Sequence, residues 1–242
     1  MGQYTLTRRA LVAGLCGSAA VVTVQAPEPS ATDPSQQDCA ALGRYRDENA
    51  RLMAGAASVE VVFLGDSLTE GRLSMAPKFF VAGHVCRGIS GQTTPQMLLL
   101  FRQDVVDLRP RAVHVMAGTN DIAGNTGTAT QKVIEDNFRS MTEIALTNGM
   151  RLVFGSVLPA RAIPRNPGPS PAPRILALNL WLKSHAARVG GTYADYFAVL
   201  ADGDGGMRAG LSFDEVHPTA AGFAAMRPVA EAALRRAQPP AR

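Results

Sequence analysis

The feature that most constrains this chain is a series of short apolar runs, each ended by a small polar turn. Val59 to Leu64, Val85 to Gly88, Ala112 to Ala117, Arg151 to Val157 and Thr192 to Tyr196 read as five strands, because they are rich in β-branched and aromatic residues and bounded by Gly, Asn and Asp. Between them lie segments of helical period: Asp38 to Met53, Pro95 to Asp107, Thr130 to Asn148, Pro173 to Val189 and Ala220 to Ala237. In the third of these, Val133, Ile134, Phe138, Met141, Ile144 and Ala145 recur at helical spacing, and Asn148-Gly149 supplies the stop. Strands that alternate with helices pair in parallel, since a parallel neighbour can be reached only through a long crossover. The expected fold is α/β: a three-layer α/β/α open sheet of about five parallel strands.

The 242 residues, 46% of them hydrophobic, are enough for one well-buried core. The organisation expected is an export signal over residues 1–26, a flexible linker over 27–37 and a single domain over 38–242. Arg8 and Arg9 precede an apolar run from Ala10 to Val24, and Val24-Gln25-Ala26 fits a small-x-small cleavage site. Thr7-Arg8-Arg9 also resembles a twin-arginine signal, so the mature chain is expected outside the cytoplasm, in a periplasm or beyond. The apolar run falls short of the roughly 20 residues that span a bilayer, and no later segment is longer, so no membrane span is expected in the mature form. Cys39 and Cys86 remain after processing, either as one disulfide or as two thiols. Without Arg8 and Arg9 the charge is 22 basic against 20 acidic residues, scattered rather than striped. That balance gives no reason to expect a nucleic-acid partner.

In an open α/β sheet, ligands bind at the carboxyl ends of the strands. The first three strands end on Gly65-Asp66-Ser67, on Ile89-Ser90-Gly91-Gln92-Thr93 and on Gly118-Thr119-Asn120-Asp121. A serine at the apex of a strand-to-helix turn presents its hydroxyl to solvent beside free backbone N–H groups. Thr69 replaces the last glycine of the G-x-S-x-G elbow, and Ser67 can equally be a helix cap. A serine nucleophile needs a base. Of the four histidines, His84 reads as a rim residue, His114 as core and His185 as surface. His217 lies in the loop SFDEVHPTAAG, three residues after Asp214 and directly before Pro218. One turn of chain would let Asp214 reach one imidazole nitrogen and leave the other for a serine. The alternative is a capping aspartate beside an exposed histidine.

Taken in order, GDS, the glycine loop, GTND and DxxH resemble the SGNH, or GDSL-type, hydrolases from Val59 to Ala237. GDSLTEG and RGISGQTT resemble the branch that contains the platelet-activating-factor acetylhydrolase subunits and related small esterases, with Gln92 departing from the Asp often found there. The resemblance implies a flavodoxin-like fold, Ser67 as nucleophile, His217 as general base and Asp214 as its partner. It also implies an oxyanion hole made by Ser67, Gly91 and Asn120. The chemistry is consistent: glycine lets substrate approach the backbone, and a neutral amide donates without adding charge. Asp66 and Asp121 read as loop stiffeners bonded to local backbone. The run Ala201 to Gly206 lacks the distal glutamate of a hand-type calcium loop. No zinc spacing or dinucleotide fingerprint is present, so no metal and no cofactor are expected.

The loops are short apart from Pro159 to Pro173, and there is no long apolar lid for a fatty chain. The expected substrate is therefore a short acyl ester, acetyl first, on a small molecule or polysaccharide. The alternatives are a lysophospholipase or thioesterase, acyl transfer to a sugar, and a noncatalytic carbohydrate-binding module.

Overall fold

A computed structural model of the chain describes residues 38–164 and 168–237. The expected export segment and linker lie outside the described residues. In chain order the elements are α1 (Arg46–Ala54), β1 (Val61–Gly65), α2 (Ser67–Met75), β2 (His84–Gly88), α3 (Thr94–Asp104), β3 (Ala112–Met116), α4 (Thr119–Ala123), α5 (Gln131–Thr147), β4 (Arg151–Gly155), α6 (Ala172–Arg188), β5 (Thr192–Ala194), α7 (Tyr196–Leu200) and α8 (Ala220–Ala237).

The five strands form one sheet in the order β2-β1-β3-β4-β5, and every neighbouring pair is parallel. The register sets Val61 beside both His84 and Ala112, and Ala112 beside Arg151. Alternation along the strands gives the sheet two covered faces. Phe63 and its register partner His114 meet Phe79 and Tyr196 on one face, while Phe154 meets Phe138 of α5 and His185 of α6 on the other. Both faces are dry, which is why β1 and β3 are buried along their whole length. The architecture is the expected three-layer α/β sheet.

The helix starts follow local chemistry. Thr93 and Gln96 form a reciprocal capping box at the head of α3. The Thr130 hydroxyl accepts from the Val133 amide at the head of α5. Among the described residues, no helix is long and apolar enough to cross a membrane.

Several boundaries differ from expectation, and three of them have a visible reason. The helix expected from Asp38 begins only at Arg46, because the Asp38 carboxylate accepts from the Leu42 and Gly43 amides and folds the segment into turns. The helix expected to reach Asp107 stops at Asp104 and gives way to a 3-10 turn, Val106–Leu108. The fifth strand ends at Ala194 because Asp195 accepts from the Ala198 amide and starts α7.

His185 is not a surface residue: it is buried, bonded to Thr142 Oγ1 at 2.9 Å and stacked 4.6 Å from Trp181. Both cysteines among the described residues are free thiols, Cys39 exposed and Cys86 buried. Burial pushes the Cys86 thiol up to about 11.

Candidate active site

The site begins where β1 ends. Gly65 is required by packing, because a Cβ there would lie 2.1 Å from Thr69 Oγ1 and 2.7 Å from the Met116 carbonyl. Asp66 then caps α2, its Oδ1 accepting from the Leu68 amide at 2.9 Å. Ser67 is therefore the first residue inside the helix and not its cap, which leaves its hydroxyl unspent. That hydroxyl lies 2.9 Å from Nε2 of His217.

The loop that brings His217 there closes on itself: the Phe213 amide donates to the His217 carbonyl, and the Thr219 amide to the Leu211 carbonyl. Asp214 Oδ1 accepts from the Val216 and His217 amides at 3.2 and 2.8 Å, and its Oδ2 lies 2.8 Å from His217 Nδ1. An ionised carboxylate can only accept, so Nδ1 carries the proton and Nε2 presents its lone pair to Ser67. Partial burial is the largest single influence on Asp214 and raises its pKa, but the bonds from the His217 amide, the His217 ring and the Val216 amide together hold it below the usual carboxylate range.

The other two expected residues arrive from the neighbouring loops. Gly91, at φ +81°, sits in the left-handed region that glycine enters without cost. Asn120 Nδ2 donates to the Gln92 carbonyl at 2.9 Å and to Asp66 Oδ2 at 3.2 Å. Ser67, Gly91, Asn120 and His217, with Ile163 and Pro164 on the rim, line one cavity of about 260 Å³. All five residues expected from the sequence, Ser67, Gly91, Asn120, Asp214 and His217, thus face a single pocket.

The two aspartates left out of that set differ from each other. Asp66 bonds local backbone as expected, but it is 1% exposed, and burial pushes its carboxyl up to about 7. Asp121 bonds its own backbone amide as expected, but it is not confined to its own loop. It reaches across to the amide and hydroxyl of Thr94 and ties the loop after β3 to the head of α3. A residue that sequence reasoning missed is Glu70, whose Oε2 accepts from both the amide and the hydroxyl of Ser90 at 2.9 and 2.5 Å. It fixes the residue before Gly91, and because the contact joins two elements, periodicity carries no trace of it.

An open parallel sheet that gathers a serine, a histidine–carboxylate pair and amide donors at its carboxyl edge has the layout of serine-type ester hydrolases. The chain belongs to the GDSL-like lipase/acylhydrolase family, whose model matches residues 63–225. Among solved structures it is similar to a GDSL-like lipase from Bacteroides thetaiotaomicron, at 34% identity over 82% of this chain and 99% of that one, with a TM-score of 0.77. It also shares the fold of an acetylxylan esterase from Geobacillus stearothermophilus, at 17% identity over 74% of this chain and 94% of that one, with a TM-score of 0.59. No curated protein sequence matches the chain.

Proposed function

We propose that the chain is an exported serine esterase that hydrolyses short acyl esters, acetyl first, through an acyl-Ser67 intermediate. The observation that carries this reading is the unbroken hydrogen-bonded line from Asp214 through His217 to the Ser67 hydroxyl. In the first step Ser67 Oγ bonds to the ester carbonyl carbon while His217 Nε2 takes the hydroxyl proton. The π electrons of the carbonyl move onto its oxygen, and the Ser67 and Gly91 amides with the Asn120 side chain receive that negative charge. Asn120 has both amide hydrogens engaged before substrate arrives, so one must turn or be shared, and the longer bond, to Asp66, is the easier to release. Collapse of the intermediate expels the alcohol, which takes the proton from His217. Water then repeats the sequence on the acyl-enzyme and releases the acid.

The cavity of about 260 Å³ and the absence of an apolar lid among its described lining residues favour a short acyl group over a fatty one. The acetylxylan esterase that shares the fold makes an acetylated polysaccharide the first substrate to try. Export rests on Arg8-Arg9 and the apolar run behind them.

The test is acid release from a panel of esters, acetyl to long-chain, run beside acetylated polysaccharides with wild type and Ser67→Ala. Wild type should turn over the acetyl esters fastest and Ser67→Ala should turn over none. Equal hydrolysis by both proteins would remove the serine mechanism, and rates that rise with chain length would move the assignment to a lysophospholipase or thioesterase.

A further inference from the structure

The oxyanion donors stand on loops from different strands, so something must hold those loops in register. Asn125, just beyond α4, lines the same cavity as Ser67 and Gly91. Its Nδ2 donates to the Gly91 carbonyl at 3.2 Å and to Asn120 Oδ1 at 2.9 Å. A backbone carbonyl can only accept, so the nitrogen of the Asn125 amide must point that way. This in turn fixes the Asn120 amide, whose oxygen faces Asn125 and whose nitrogen faces Gln92 and Asp66. The consecutive carbonyls of Gly91 and Gln92 are therefore each held by an asparagine of the loop after β3, while Glu70 holds Ser90 from the other side.

We propose that Asn125 is a positioning residue for the oxyanion hole: one side-chain nitrogen, bonded to both the Gly91 carbonyl and the Asn120 amide oxygen, locks two of the three donors to each other. The inference rests on the serine esterase reading of this site. Asn125 also acts electronically, because donation to Asn120 Oδ1 polarises that amide and strengthens its N–H groups as donors. Asn125 is exposed and lies outside the core, so its replacement leaves the packing of the sheet unchanged.

The experiment measures kcat and KM for matched pairs of acetyl ester and thionoester, with wild type, Ser67→Ala, Asn125→Ala and Asn125→Asp, and a thermal melt for each. Sulfur accepts hydrogen bonds poorly, so the ester-to-thionoester rate ratio reports on the oxyanion hole itself. Asn125→Ala should melt with the wild type, keep its KM and lose about 10- to 100-fold in kcat on the ester, somewhat less than the loss of a whole donor. Its deficit should shrink on the thionoester. Asn125→Asp, which sets a carboxylate against two carbonyl oxygens, should be slower than Asn125→Ala. A wild-type kcat in Asn125→Ala, or equal losses on both substrates, would overturn the brace. Hydrolysis by Ser67→Ala at the wild-type rate, or none by wild type, would instead remove the esterase reading and the brace with it.

Discussion

Asp66 and Asp214 are two carboxylates held against the same serine–histidine pair, and they have opposite surroundings. Asp66 is adjacent to Ser67 in the chain, sealed at 1% exposure, with its carboxyl pushed up to about 7 by burial. Asp214 is far away in sequence, its side chain is 46% exposed, and hydrogen bonds from the His217 loop hold it ionised. The sealed carboxylate caps a helix and steadies Asn120, while the open one orients the imidazole. Position in the sequence does not assign the role: the aspartate next to Ser67 caps a helix, and the distant one faces His217.

The largest effect that can break this contrast is loss of the base. If His217 is the base proposed above, His217→Ala should lower kcat/KM for a short ester by about 10⁶, as removal of a triad histidine does, with the melting temperature unchanged. Asp214→Asn comes next. Because the side chain is half open to water, the expected loss is about 10², short of the ~10⁴ that follows loss of a buried triad aspartate. A loss as large as that of His217→Ala would mean that exposure does not soften the role. Asp66→Asn should cost the least in kcat, about tenfold, since asparagine still caps α2 but turns a donor toward Asn120.

That last variant also carries a pH signature. An unfolded aspartate titrates near its ordinary value of 3.8, whereas burial pushes folded Asp66 up to about 7, so the native state holds the extra proton between those values. Its contribution to stability is complete below the unfolded value and is lost as pH rises through the folded one. Subtracting the Asp66→Asn melting profile from that of wild type should therefore give a difference that falls from about pH 4 to about pH 7. A flat difference would place Asp66 in a more solvated setting.

Much of this was legible in the sequence because it depended on local patterns. The five strands are apolar runs, the strand-end rule points to the loops that hold Ser67, Gly91 and Asn120, and the family resemblance singles out those three residues. His217 and Asp214 stood out through their spacing and the proline behind them. What could not be read were contacts between elements. Asp121 reaches Thr94, Glu70 reaches Ser90 and Asn125 reaches Gly91, across 20 to 34 residues of chain, and no periodicity records such pairs. The burial of His185 is hidden for the same reason, since Thr142 closes over it from α5 while Trp181 stacks on it from one turn earlier in α6. The short helices α2, α4 and α7 are not legible in the sequence because none is long enough to show an apolar stripe.

In the proposed mechanism the Ser67 hydroxyl, and not a water activated by His217, attacks the ester. The most direct measurement is to incubate the protein with a serine-directed phosphonate ester and map the modified peptide by mass spectrometry, with residual acetyl ester hydrolysis followed in the same sample. A single adduct on Ser67, formed in step with the loss of activity and absent from Ser67→Ala and His217→Ala, is the predicted result. Full inactivation with Ser67 unmodified, or undiminished hydrolysis with Ser67 fully modified, would contradict it.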